Sequence, residues 1–295
     1  MALEGVWYKS ISAIAILAFS FFFTWLPFML KSFKTNKMLT SLSNCMAGGV
    51  FLAAGLLHIL PDATEAWENG VPHDHSKGEP FPMIPFVILC SFSGILLIDR
   101  VLLPGHAHDP NLPAQNPAPN SSIEKETIEA NLKDHDHQEA HVHAPSLGPY
   151  VLVVAMGVHA LFEGLALGLR SNPASFYGFM TAIVSHKWAE CMAVGINFLT
   201  NGIPKLNSFL ALLFFSFLTP IGIIIGMAFT GTDEKTKAIL YAISCGTFLY
   251  IAIAEIIAEE FEGEKGAVYR YLAYFGGATL MVVVWWVEQW GNEAK

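Results

Sequence analysis

The run Gly157-Val-His159-Ala-Leu-Phe-Glu163-Gly164-Leu-Ala-Leu-Gly168 sets an imidazole and a carboxylate four residues apart inside an apolar stretch long enough to cross a bilayer. On a helix, residues i and i+4 stack on one face, one turn apart. An ionised carboxylate at bilayer depth costs at least about 2.5–3.5 kcal/mol on insertion scales, so it requires a partner or a function. The pattern returns in the next apolar segment as Ser185-His186-Lys187-Trp188-Ala189-Glu190. Imidazole and carboxylate are the ligands that borderline divalent ions such as Zn²⁺ accept. Two helices that each present such a pair can converge on one cation, which predicts a metal site from His159, Glu163, His186 and Glu190. The competing use of these residues is a helix–helix hydrogen bond. The repeated pair, and the small Gly164 and Gly168 that admit a close neighbour, favour the metal.

Lesser candidates surround this site. Lys187 points about 100° away from His186 around the helix. It reads either as a partner for Glu163, Glu190 or Glu255, or as a positive charge standing where a second cation would sit. His58 and Asp62 repeat the i, i+4 spacing at the expected outer end of an earlier span, where they either guide ions at the mouth or sit solvated at the interface. Glu255 reads as the remaining acid near membrane depth, on the pathway or among the headgroups with Glu259, Glu260 and Glu262. No residue is assigned a catalytic role.

The elements that must position these groups are helices. The 295 residues are 53% hydrophobic and 14% charged, against about 25% charged in a soluble domain. Charges gather between apolar runs of roughly 20 residues, the length that spans about 30 Å of hydrocarbon. Eight spans are expected, at Ile11–Leu30, Ser43–Leu60, Pro82–Leu103, Tyr150–Leu169, Ser175–Leu199, Ser208–Thr230, Ala238–Ala258 and Val268–Trp290. Open strands would leave backbone groups unpaired in lipid, so the fold class is an all-α membrane protein of eight transmembrane helices. Thr219, Pro220, Gly222 and Gly226 mark the sixth as kinked and closely packed. The organisation is helices one to three in 1–103, a His-rich cytosolic loop in 104–147, and helices four to eight with the metal site in 148–295.

That loop is rich in Pro, Asn, Glu and His and too poor in aliphatics to pack a core. It holds His106, His108, His135, His137, His141 and His143, six of the eleven histidines, a composition that favours loose metal contact. Lys31, Lys34 and Lys37 place the first loop in the cytosol and both termini outside. Lys235 and Lys237, in a loop then expected outside, weigh against it. Cys45, Cys90, Cys191 and Cys245 lack CxxC spacing and read as small buried apolar residues. A net charge of −9 without a basic stripe excludes nucleic acid as a partner. The partners expected are divalent metal ions and the lipid bilayer, with no prosthetic group.

Four segments in order carry a resemblance over the whole chain: Gly49-Val-Phe-Leu-Ala through His58-Ile-Leu-Pro-Asp62, His159-Ala-Leu-Phe-Glu163-Gly164, His186-Lys187-Trp-Ala-Glu190, and Gly246-Thr-Phe-Leu-Tyr250. The chain resembles the ZIP (Zrt/Irt-like) family of divalent metal transporters, and its His-Lys dipeptide is similar to the branch with the mammalian plasma-membrane zinc importers. The resemblance implies import of Zn²⁺, and often of other divalent ions, into the cytosol, with metal at His159, Glu163, His186 and Glu190. It implies motion of helices one, four, five and six as a block against two, three, seven and eight, commonly in dimers. Relatives with a binuclear site carry Asn after the first His and Asp after the second. Ala160 and Lys187 stand there, which argues for one ion.

The expected mechanism is alternating access around a midplane site. Metal binding removes the repulsion between Glu163 and Glu190 and releases the loaded block to move. The ligand set suits Zn²⁺ without excluding Fe²⁺, Mn²⁺, Co²⁺ or Cd²⁺, so a broad-range importer, or a zinc transporter of an intracellular membrane, is the alternative. An intramembrane metalloprotease would need His-Glu-x-x-His, whereas the order here is His-x-x-x-Glu. A haem protein would use His159 and His186 as axial ligands and leave two carboxylates unexplained.

Overall fold

The structure, a computed structural model, describes residues 2–71, 81–102, 148–229, 233–262 and 266–293. The loop histidines expected to contact metal, His106, His108, His135, His137, His141 and His143, lie outside the described residues.

The described residues form eight long helical rods. They are α1 (Ala2–Met29), α2 (Lys37–Gly70), α3 (Met83–Leu102), α4 (Gly148–Gly168), α5 (Pro173–Thr200), α6 (Lys205–Ala228), α7 (Glu234–Phe261) and α8 (Ala267–Glu293). Apolar sequences become helices in lipid because each backbone N–H must be satisfied within its own segment. The Asn36 side chain accepts from the Met38 and Leu39 amides to start α2. Asn172 accepts from the Ala174 amide to start α5, with Pro173 in the first turn where its missing N–H costs nothing. Gly202, at φ 66°, closes the turn from α5 to α6.

Burial is inverted relative to a soluble protein. Val268, Leu272, Phe275 and Trp286 of α8 face outward, while Lys9, Asp99, His159, Glu163, His186, Lys187 and Glu190 are buried. Such an apolar exterior is stable against hydrocarbon. Seven of the rods are long and apolar enough to cross a membrane. The protein is therefore an integral, multi-pass membrane protein. The eighth rod, α5, has the length at 28 residues but carries Ser185, His186, Lys187 and Glu190 through its middle.

Glycines decide which rods touch backbone to backbone. A Cβ on Gly164 would collide with the Thr219 carbonyl, and one on Gly226 with the Leu165 carbonyl, so α4 and α6 pack without spacers. Gly195 does the same for α5 against Thr24 of α1. Gly49 and Gly277 join α2 to α8, and Gly246 sets α7 against Ile88 of α3. Among the described glycines, these backbone contacts fall inside two groups of rods, α1, α4, α5, α6 and α2, α3, α7, α8.

Among the described residues, three π-helical turns interrupt the rods, all in the second group: Gly55–Ile59 in α2, Ile98–Leu102 in α3 and Ile251–Ile257 in α7. Each carries an ionisable side chain, His58, Asp99 with Arg100, and Glu255 respectively. The extra residue in a π turn redirects the side chains around it, which is why such turns gather at functional sites.

Several expectations need correction. The first helix starts at Ala2, well before Ile11, because buried Lys9 finds a partner and does not end it. α2 continues to Gly70, so His58 and Asp62 lie within the rod and not at its end. Glu255 is not the remaining acid at depth, since Asp99 is fully buried in α3. Cys90 is exposed on the outside of α3, unlike Cys45, Cys191 and Cys245.

The glycine contacts make a direct forecast. Gly164→Ala forces apart two helices whose backbones touch, at a cost of about 1–3 kcal/mol. Gly276→Ala, where an added Cβ meets nothing within 4 Å, is silent. Thermal unfolding in detergent micelles separates the two: the midpoint falls for the first variant and stays for the second.

Candidate metal centre

Two neighbouring helices supply the core of the site. α4 presents His159 and Glu163, and α5 presents His186, Lys187 and Glu190, all at most 4% exposed. One ligand atom from each of His159, Glu163, His186 and Glu190 lies within 4.8 Å of all the others. His159 Nε2 stands 3.7 Å from Glu163 Oε1 and 3.5 Å from Glu190 Oε1. His186 Nε2 stands 2.7 Å from Glu163 Oε1 and 3.3 Å from Glu190 Oε1. Ligands about 2.1 Å from a tetrahedral Zn²⁺ are about 3.4 Å from each other. Three of these four separations match that spacing. The fourth is a hydrogen bond that a bound ion would replace.

Two ligand atoms have no hydrogen-bond partner among the described residues, His159 Nε2 and Glu190 Oε1, although both are buried. An unpaired buried polar atom is costly, and here the two face each other across the centre. The other nitrogen of His159, Nδ1, is held by α7: it lies 3.3 Å from the Ser244 carbonyl and 2.9 Å from the Ser244 hydroxyl. With Nδ1 engaged by Ser244, Nε2 is the nitrogen that His159 presents to the cluster. Phe248 stacks on the imidazole with ring centroids 3.6 Å apart and fixes its plane.

Lys187 is the partner of both acids. Its ammonium donates to Glu163 Oε2 at 3.0 Å and to Glu190 Oε2 at 2.7 Å, leaving each Oε1 turned to the histidines. The sequence leaves its partner open among three acids, and Glu255 is not the one.

Lesser candidates lie above and below. His58 lines a small cavity together with Glu163, Phe179, His186 and Ser244, directly over the cluster. Asp62 lines a larger recess of about 330 Å³ with Glu65, Arg170 and Glu234. At the opposite end, Glu255, Glu259 and Glu260 border a narrow cleft with Asn44 and Asn197. Glu255 stands beside a pair the sequence reading missed: Asp99 accepts from Tyr250 at 2.5 Å and from Arg100 Nε at 2.7 Å, with Arg100 Nη2 3.8 Å from Glu255. Glu260 accepts from Ser41 and from Asn44. Ser244 and Phe248 were missed too, although Phe248 lies inside the Gly246–Tyr250 segment. Their signal was available as a polar residue and an aromatic four apart on α7.

Fold and site together define a multi-pass membrane protein closed around a buried cluster of metal-ligand type. The sequence profile described as ZIP zinc transporter matches residues 6–284. The chain is 27% identical to the zebrafish (Danio rerio) zinc transporter ZIP1 over 92% of its own length and 95% of the relative's. It is 24% identical to human (Homo sapiens) zinc transporter ZIP2, over 84% and 86%. It is 35% identical to protein zntD of Dictyostelium discoideum over 53% of this chain and 26% of that one. The chain belongs to the ZIP zinc transporter family.

Ser244→Ala removes the 2.9 Å contact that orients the His159 ring. Loss of such an outer partner typically lowers metal affinity 10–100-fold, and about tenfold is expected here because the carbonyl contact remains. Calorimetric titration of the purified protein with Zn²⁺ measures it.

Proposed function

We propose that this protein carries Zn²⁺ across the membrane into the cytosol by alternating access, with His159, Glu163, His186 and Glu190 as the transported ion's ligands. The observation that carries this reading is the convergence of four buried ligand atoms within 4.8 Å, beside an ammonium and cut off from both faces. In this reading α5 crosses the bilayer like the other seven rods, and both termini lie outside at the plasma membrane. The His-rich loop of 104–147 then receives the ion in the cytosol, and the chain works as a dimer.

Charge arithmetic suggests why one ion suffices. Two carboxylates and one ammonium leave the cluster at −1 with neutral imidazoles. One divalent ion brings it to +1, and a second beside Lys187 would bring it to +3 in a medium that screens poorly. The repulsion between Glu163 and Glu190 expected from sequence is already opposed by Lys187. Zn²⁺ therefore takes a partly compensated centre from −1 to +1. The glycine-joined groups supply the two bodies: α1, α4, α5 and α6 carry the ligands, and α2, α3, α7 and α8 form the wall against which they slide. The donor set accepts Fe²⁺, Mn²⁺ and Cd²⁺ as well, so the rank order of metals is a matter for competition.

Uptake of radiolabelled Zn²⁺ tests the site in cells expressing the parent, His159→Ala and Glu190→Ala at matched surface levels, with unlabelled metals as competitors. Both variants lose uptake; full uptake in both would sink the four-ligand site. Acid raises the apparent KM of the parent, because protons compete for imidazole and carboxylate ligands that must be deprotonated to bind.

Lys187→Gln leaves two buried carboxylates uncompensated, a defect of about 3–5 kcal/mol. Zn²⁺ supplies the missing positive charge. The melting midpoint of this variant is therefore low without metal and rises on Zn²⁺ addition by more than the parent's does. Equal rises in both would show that Lys187 and the ion do not share the same carboxylates.

A further inference from the structure

Arg170 follows α4 and lies at the floor of the outer recess. Its Nη1 donates to Ser175 Oγ at 2.7 Å, and its Nη2 donates to the Tyr241 hydroxyl at 2.7 Å. The same Nη2 stands 3.5 Å from Asp62 Oδ2. The guanidinium carbon is 4.4 Å from the centre of the Phe179 ring and 5.5 Å from that of Tyr241. The two rings are 5.4 Å apart and both are buried. Tyr241 lines both the recess above and the small cavity below, which holds His58, Ala182, Glu163 and His186. Phe179 and Tyr241 thus form a lid over the ligand cluster, and Arg170 lies across it.

An arginine is a strange lining for a path that cations take. It is permanently charged and repels them. Its partners explain the placement. Ser175 and Phe179 stand on α5, in the ligand-bearing group, while Tyr241 stands on α7 and Asp62 on α2, in the other. Arg170 therefore ties the two groups together at the outer mouth. The tie has two parts, the Tyr241 hydrogen bond and the Asp62 ion pair, and the Asp62 carboxylate is the group a hydrated cation arriving in the recess would bind. An arriving divalent ion offers Asp62 two charges where the guanidinium offers one, and Arg170 Nε, buried with no hydrogen-bond partner among the described residues, contributes nothing to keep it in place.

We propose that Arg170 is the outer latch of the transport path, a positioning residue that holds the Phe179–Tyr241 lid shut until a divalent cation takes Asp62 from it. This rests on the transport reading above. It makes cation capture at the mouth and opening of the lid one exchange of counter-ions. It also disfavours monovalent ions, which cannot outbid a guanidinium for one carboxylate.

Ala182, buried on α5 below the lid, reports the latch directly. In the Ala182→Cys background, the rate of modification by a charged, membrane-impermeant methanethiosulfonate is measured on the full chain in micelles, with the chain lacking that substitution as blank. Asp62→Asn, which loses the ion pair alone, speeds labelling about tenfold, and Arg170→Gln, which also loses the Ser175 and Tyr241 hydrogen bonds, speeds it at least as much. The double variant is no faster than Arg170→Gln alone, and Arg170→Lys, which keeps the charge but not the fork, falls between. Buried Cys191, read in the same samples, stays unlabelled and shows that the fold is intact. Parent-rate labelling in both single variants overturns the latch. So does full additivity in the double variant, or Cys191 labelling that rises in step. No transported ion enters this assay. An unchanged rate would refute the latch and leave Zn²⁺ uptake standing, whereas absent uptake would refute the transport reading without altering the labelling.

Discussion

The ammonium of Lys187, held between Glu163 and Glu190, is the interaction on which the rest of the structure depends. Two carboxylates buried a few ångströms apart in a bilayer would neutralise themselves by taking up protons or drive the helices apart. With Lys187 in place each keeps one oxygen on the ammonium and turns the other toward the histidines. The cluster is then largely balanced before any metal arrives, yet stays one positive charge short of neutrality. A transporter has to meet both demands, because its site must exist before the ion arrives and after it leaves.

A centre that ions enter and leave, as proposed above, cannot be packed like an ordinary core, and the helix contacts show where rigidity is placed. Backbone-to-backbone contacts through Gly164, Gly195, Gly226, Gly49, Gly246 and Gly277 unite helices within each group. Such contacts forbid sliding, since the carbonyl of one helix sits where a side chain of the other would be. Between the groups the ring of Phe248 lies against His159, and flat faces of that kind can shift. The π turns fall on the side that bears no ligand, where they aim His58, Asp99 and Glu255 without disturbing the spacing of the two His-x-x-x-Glu pairs.

Much of this was legible in the sequence. The i, i+4 pairs on consecutive spans identified the four side chains that the structure brings together, because helical periodicity and span order are local properties. Seven of the expected spans are helices long and apolar enough to cross, and α5 is the eighth long rod. The misses have physical causes. Asp99 sits in the run Leu97-Ile98-Asp99-Arg100, whose charge pair reads as the end of a span; only the fold brings the Tyr250 hydroxyl to it from 151 residues away. Arg170 reads as a loop cation following Gly168, and its role depends on Tyr241, 71 residues on. Lys187 needed the third dimension as well, since its angle on the helix allowed three partners. Pairing at long range between helices is what periodicity does not encode.

The two ends of the proposed transport path are closed by different means. At the outer mouth Arg170 joins one group of helices to the other. At the inner end, the contacts of Asp99 with Tyr250 and Arg100, and of Glu260 with Ser41 and Asn44, run among α2, α3 and α7 and so stay within one group. Displacing the ligand-bearing helices would break the first set and leave the second intact. The site itself lies between these cases, because the His159 ring takes its orientation from Ser244 across the group boundary. Movement of α4 away from α7 strips His159 of that support, frees its ring to turn and weakens its hold on an ion. In the alternating-access mechanism proposed above, the helix motion that opens a route inward is thus the same motion that loosens a ligand, which couples release to opening without a separate trigger.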